Sequence, residues 1–343
     1  MTLQDADSWL EARADVKTPS VFSSASASKT ENEGLSFSRA YALSLSPQVI
    51  HARSSLLSQL VSSRAFRQLE FLAVGSFFIY RPSADGGAPS LARIPSTREA
   101  VFSNSEIPPK AKRSLMKFLK FVLDYDSEEN KPAWTSRADE PLEDFLQSEF
   151  KLDENLRAYI LTLTLSQTGK ISVRDGLEVV NRHMTSMGHF GPGFAAVYPK
   201  WGGGSEVAQV ACRAGAVGGA VYMLGTGVKS VRQENAEAEL EIELSNDVTV
   251  KSRALVRGDE AENPTETVAR LVAVVDSSLT SLFEAVVEGS PTPAAAVVAF
   301  PKGSLGGDED PVYAVAHSSD TGECPSGQSK SLIFSFFKHI PCA

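Results

Sequence analysis

Three consecutive glycines, Gly202, Gly203 and Gly204, run directly into a stretch of small residues, and this constrains the chain more than any other feature. Residues 198–224 read YPKWGGGSEVAQVACRAGAVGGAVYML. Val207, Val210, Ala211, Ala214 and Val217 recur at the spacing of one helix face, which predicts an amphipathic helix. Ser205 suits its N-cap, and Glu206 places negative charge at the positive end of the helix dipole. Gly218 and Gly219 break the helix, and residues 221–224 read as a strand. A glycine loop before a helix is a common recipe for a phosphate or dinucleotide site. That recipe needs a strand ahead of the glycines and the spacing G-x-G-x-x-G. Here Pro199 argues against a central strand, and the spacing is G-G-G-S-E. The segment reads instead as a glycine loop that lets a small-residue helix pack tightly on a sheet.

Composition narrows the class. At 343 residues the chain has room for two domains of roughly 150 residues each. Its formal net charge is -9, which argues against nucleic acid as a main partner, because phosphate binding needs a basic face. No apolar run approaches the roughly 20 residues of a membrane span. The first residues, MTLQDADSWLEARAD, lack the basic and apolar regions of a secretory signal. Cys212, Cys324 and Cys342 form neither a metal spacing nor a disulfide framework, and a small buried thiol is the reading for Cys212. Together these features imply a cytosolic protein. His51, His183, His189, His317 and His339 are scattered and read as surface or structural residues. Ser318 and Ser319 lie beside His317 and Asp320, but sequence neighbours do not make a catalytic triad. The sequence predicts no catalytic set, no cofactor and no metal site.

Along the chain, residues 1–35 read as a poorly ordered, serine-rich segment. Ser46-Pro47 reads as a helix start, with residues 49–61 continuing as an amphipathic helix. Residues 69–81 and 92–94 are strand-like. Residues 103–187 turn helical: 110–125 carries Leu115, Phe118, Leu119 and Val122 on one face, with Phe121 widening it. Residues 153–166 place Leu156, Tyr159, Ile160 and Leu163 at helical spacing. Residues 172–187 open on a capping box, Ser172-x-x-Asp175. Strand character returns with a hairpin around residues 245–247, a buried strand at 268–275, and strands at 294–300 and 312–316. The pattern predicts an α/β domain in two chain segments, 36–102 and 188–343, with the helical domain inserted.

Four ordered segments resemble one family, the Rab escort proteins and their relatives the Rab GDP-dissociation inhibitors. The first is Tyr198, Pro199, Trp201, the glycine loop, Glu206, Gln209, Arg213, Gly218-Gly219 and Tyr222-Met223. The others are AFRQLEFLAVGSFFIY (residues 65–80), IPSTREAVF followed by KAKRSLMKFLKFVLDY (94–125), and HSSDTGECP (317–325). The last two look more like the escort branch. Departures from the family pattern are one extra residue in the glycine loop and Ala208 where proline is usual. The resemblance places the chain as truncated at both ends, with the N-terminal βαβ unit missing.

The resemblance implies a flavoenzyme-like, GDI-like α/β fold used as a scaffold without flavin. It implies a non-catalytic accessory component of Rab geranylgeranyltransferase that binds GDP-bound Rab GTPases. Such a component presents Rab to the catalytic heterodimer and then delivers it transiently to membranes. By motif position, Tyr198, Trp201, Glu206, Arg213 and Met223 are the Rab-binding residues. Glu206 and Arg213 lie two helical turns apart on one face, too far for a direct bridge but suited to recognition. Leu156, Ile160 and Leu163 are candidate liners of a groove for the geranylgeranyl chain, and Phe118 and Phe121 candidates for the transferase-facing surface. The alternatives are a Rab GDP-dissociation inhibitor, told apart by transferase binding, and a flavin oxidoreductase of the same fold, told apart by flavin absorption.

Overall fold

The computed structural model describes residues 2–14, 25–28, 34–46, 48–83, 87–233, 235, 238–256, 267–307 and 310–337. The elements in chain order are α1 (Leu3–Ala14), β1 (Ile50–His51), α2 (Ser55–Ser62), β2 (Phe71–Arg81), β3 (Ser90–Arg93), α3 (Arg98–Ser103) and α4 (Pro109–Leu123). They continue through α5 (Lys131–Thr135), α6 (Leu142–Phe150), α7 (Glu154–Thr164), α8 (Val173–Ser186), β4 (Ala196–Pro199) and α9 (Gly204–Val217). The last strands are β5 (Val228–Arg232), β6 (Leu240–Leu244), β7 (Thr249–Ser252), β8 (Thr267–Val275), β9 (Ala295–Phe300), β10 (Val312–Ser318) and β11 (Ser329–Phe337).

The main sheet runs β1-β4-β2-β9-β10-β11-β8, with β3 also on β2. Its pairings are antiparallel except β2 with β9. Period-two alternation sorts its side chains between two faces. Val74, Phe77, Ile79, Ala295, Val297, Ala299, Tyr313 and Val315 point toward the helices and join one core with Phe118, Phe145, Leu156, Ile160 and Leu177. Phe78, Ala296, Val298, Ala314 and Ala316 face the other way, onto Leu282 and Phe283. The helices α3–α8 thus lie between β3 and β4 in sequence and share a core with the sheet. Strands β5, β6 and β7 form a separate sheet.

The helical termini follow local chemistry. Asp153 caps α7 by accepting from Leu156 N, and Ser172 caps α8 by accepting from Asp175 N, while its hydroxyl donates to the Asp175 carboxylate. Polar contacts tie the helices to the sheet. Tyr313 donates to Ser166 O (2.9 Å), Arg81 donates to the Tyr159 hydroxyl (2.7 Å), and Arg53 N donates to Ser186 Oγ (3.1 Å). The buried rings of His51 and His183 meet at 3.3 Å.

Several expectations fail for identifiable reasons. Residues 3–14 form a helix rather than an unordered segment, because Thr2 and Asp5 cap each other's backbone N–H groups. The intervals 15–24 and 29–33 lie outside the described residues. Residues 49–61 are not one helix: Ile50 and His51 pair with β4, and the helix begins after Ser54, whose hydroxyl accepts from Leu57 N. Pro47 lies outside the described residues. A strand does precede the glycines, despite Pro199. Lys200 N donates to Glu70 O (2.9 Å), so the neighbouring Pro199 nitrogen points to the opposite edge, past the end of two-residue β1. Residues 221–224 are not a strand: Ala220 N closes back on Gly215 O, and Val221 and Leu224 are exposed. Strand β8 forms as expected but is not buried, because among the described residues it is the sheet's edge and pairs with β11 alone, leaving Leu271 exposed.

Candidate partner-binding platform

The glycine loop and α9 form an outward-facing shelf. Gly202 (φ 139°) and Gly203 (φ 64°) adopt backbone conformations that side chains rarely reach, and a Cβ on Gly203 would lie 2.5 Å from the Tyr198 hydroxyl. The N-cap is therefore Gly203 rather than Ser205, whose hydroxyl donates to Gly202 O (2.9 Å). Of the fourteen residues of α9, Val210 alone is buried. The predicted apolar face consequently does not pack as a whole: Ala211 and Ala214 are exposed and Val217 is 86% exposed. Cys212, expected to be buried, is exposed on the same helix.

The five residues proposed from motif position separate into two groups. Trp201 (56% exposed), Met223 (44%) and Arg213 are exposed, and Glu206 is half-buried, accepting from Gln209 Nε2 (3.0 Å). Tyr198 is buried, so it supports the shelf from below and presents nothing to a partner. Beyond α9, Tyr222 folds its hydroxyl onto the bare backbone of Gly215, which holds Met223 near the helix's C-terminal end.

Beneath the loop lies a constellation that sequence reading missed. Tyr198 donates to Glu323 Oε1 (3.0 Å), Lys330 Nζ donates to the same oxygen, and His317 Nδ1 sits against Glu323 Oε2. Lys330 also reaches Ala42 O (3.3 Å). His317, Glu323 and Lys330 are wholly buried. Burial by itself would raise the Glu323 carboxyl, but His317 and Lys330 outweigh it and hold it down at about 2. Burial lowers both His317 and Lys330, with Glu323 opposing the shift in each case. Burial, then the Glu323 charge, raises the Tyr198 phenol, so it stays a donor. The available signal was the HSSDTGECP segment, which holds His317 and Glu323 six residues apart.

The remaining candidate residues lie inside the core. Leu156, Ile160 and Leu163 are buried among α4, α6, α8 and the sheet. Of the three, Leu156 borders a cleft lined by polar Arg81, Glu106, Asp153 and Asn155 together with Ile107, Pro108 and Tyr159. Phe118 is fully buried and stacks edge-on with Phe150, while half-buried Phe121 packs on Phe145 and Phe150, so neither is a surface contact. Helical spacing marks a buried face, and in a layered fold that face meets the core before it meets a partner. Among the described residues no cluster of three or more His, Cys, Asp or Glu side chains could hold a metal. None of the described helices is long and apolar enough to cross a membrane.

The chain is 31% identical over 298 residues to the Rab proteins geranylgeranyltransferase component A of Saccharomyces cerevisiae, covering 84% of this chain and 47% of that protein. The Candida albicans protein of the same name is 29% identical over 306 residues, covering 85% of this chain and 46% of its own length. Rab escort protein 1 of Arabidopsis thaliana is 28% identical over 230 residues, with coverages of 61% and 40%. The chain thus spans about half the length, or less, of these curated relatives. Its fold matches that of RAB GDI from Plasmodium falciparum with a TM-score of 0.68 at 13% identity, covering 99% of this chain and 74% of that one. The family model described as GDP dissociation inhibitor matches residues 9–328, and the chain belongs to that family.

Proposed function

We propose that this chain is the Rab-binding part of a Rab escort protein, the accessory component A of Rab geranylgeranyltransferase. It binds GDP-bound Rab GTPase on the α9 shelf, presents it to the catalytic heterodimer and delivers the prenylated product to membranes from the cytosol. It carries no catalytic group of its own in that cycle. The observation that carries the reading is the exposure of α9 in a family whose relatives are named for Rab. A fourteen-residue helix with one buried side chain, bracketed by exposed Trp201 and Met223, is an apolar surface rimmed by charge, as protein interfaces are. Glu206 and Arg213 supply the polar contacts that set orientation.

The same reading divides the chain into an α/β scaffold (36–102 and 188–343) and an inserted helical unit (103–187). The helical unit receives the geranylgeranyl chain by parting around Leu156, Ile160 and Leu163, and turns the basic side of α4, backed by Phe118 and Phe121, toward the transferase. Calorimetric titration with a GDP-loaded Rab GTPase tests the central claim. Glu206→Ala and Arg213→Ala are each expected to weaken binding by roughly 2–5 kcal/mol where the contact is desolvated. Unchanged affinity in both variants would refute the platform. Capture of the transferase heterodimer by the chain with Rab bound separates escort from GDP-dissociation inhibition, which needs no transferase.

A further inference from the structure

Trp201 is held in an unusual way. Its φ of 73° lies in the left-handed region, which a bulky side chain occupies only when its surroundings fix it there. Two neighbours do so. The Trp201 N–H donates to Thr321 O (2.8 Å), and the indole packs against the next residue, Gly322. A Cβ at position 322 would fall inside the ring's Cε3 and Cζ3 atoms, and Gly322 itself has a φ of 73°. The Lys200 ammonium lies over the indole, 4.7 Å from the ring centroid.

The turn that presents Gly322 is fixed by the following residue. The Glu323 carbonyl accepts from Ala42 N (3.0 Å), and its carboxylate takes the Tyr198 hydroxyl and Lys330 Nζ. Tyr198 leads into the glycine loop, and its ring occupies the space a side chain at Gly203 would need. One buried carboxylate therefore ties together the strand before Trp201, the turn beneath it and strand β11. We propose that Gly322 and Glu323 are positioning residues that hold Trp201 in its partner-facing pose without touching the partner. This rests on the reading that Trp201 contacts Rab.

A double-mutant cycle tests it. Trp201→Ala, Gly322→Ala and the pair are made in the full 343-residue chain and titrated with a GDP-loaded Rab GTPase. Gly327→Ala is the control: it has a similarly positive φ of 88°, but nothing lies within 4 Å of its added Cβ. Trp201→Ala is expected to weaken binding about tenfold or more, the loss of a large interface anchor. Gly322→Ala is expected to do the same in the parent chain and to add nothing in the Trp201→Ala background. Gly322→Ala should also shift tryptophan emission, an effect absent from that background, whereas Gly327→Ala leaves affinity and emission unchanged. If Gly322→Ala lowers the melting midpoint by more than Gly327→Ala does, adding Trp201→Ala should recover that excess, the backbone strain of a positive φ being common to both glycines; no recovery would overturn the contact. If Trp201→Ala weakens binding while Gly322→Ala is silent, or equally harmful in both backgrounds, the positioning role fails and the platform stands. Unchanged affinity in Trp201→Ala removes the platform reading and this inference with it.

Discussion

Acid should loosen the junction between β1 and α8 before it unfolds the rest. His51 Nε2 and His183 Nδ1 lie 3.3 Å apart, with the rings edge-on, and Phe77 also packs edge-on against His183. One ring donates and the other accepts, so the accepting nitrogen must be unprotonated and the contact cannot survive protonation of both rings. Burial, then the nearby Arg182 charge, lowers His51 from 6.5 to about 4; burial, then His51, lowers His183 to about 3. The unfolded chain takes up these protons as pH falls below 6.5, while the folded chain resists them. Stability is therefore full above about pH 6.5, and it is lost as pH falls toward about 4 for His51 and about 3 for His183. At about 1.4 kcal/mol per pH unit, acidification from 6.5 to 5.0 removes about 2 kcal/mol per ring. Because the rings titrate as a coupled pair, the sum lies between about 2 and 4 kcal/mol. Against a total of about 5–15 kcal/mol, that is a large share. Denaturant unfolding at pH 7.5 and 5.0, compared between the parent and His51→Leu/His183→Leu, isolates the effect, since all other titrating groups are common to both. Equal losses in the two proteins would refute the argument.

Three further outcomes follow from packing and exposure. Helix α8 passes so close to α6 that a Cβ on Gly176 would lie 2.6 Å from Leu142 Cδ2. Gly176→Ala should thus lower the melting midpoint, overpacking of about 1–3 kcal/mol outweighing a helix-propensity gain of about 1 kcal/mol. Ile160→Ala should cost about 2–5 kcal/mol in denaturant unfolding, as expected of a closed core position; a cost near zero would mean the helices already stand apart around it. In the native chain a maleimide should label Cys212, which is exposed, long before Cys324, whose thiol burial pushes up to about 11; peptide mass spectrometry reads the order.

What the sequence disclosed depended on how local the cause was. Helices α4, α7 and α8 were readable because Asp153, Ser172 with Asp175, and a continuous apolar face all lie within a few residues of one another. Strands β9 and β10 and the 245–247 hairpin were readable for the same reason. Strand β4 was hidden by Pro199, whose tolerance depends on where a neighbouring strand ends. Residues 221–224 have strand composition but follow a turn that closes Ala220 N onto Gly215 O, and β8 is apolar yet lies at the rim. The shelf was located by its glycines and its resemblance to a family, but its exposure was not, since small residues at helical spacing suit a packed helix equally well. Its underpinning was only partly legible: His317 and Glu323 share one short segment, but Tyr198 lies 125 residues before Glu323, and bringing it onto that carboxylate requires the sheet order.

The cluster under Trp201 also imposes an order on synthesis and folding. Tyr198 and Glu323 are 125 residues apart in sequence, and Lys330 and Ala42 are 288 apart. As the chain leaves the ribosome, residues 198–204 emerge long before the carboxylate and ammonium that anchor them. For that interval the shelf has its helix-forming sequence without its floor, and such long-range closures are the slow ones in folding. On the proposed reading, recognition through Trp201 is a late-maturing property, gained when β11 docks, and a nascent chain stalled before residue 317 should fail to engage a partner even where its helices have already formed.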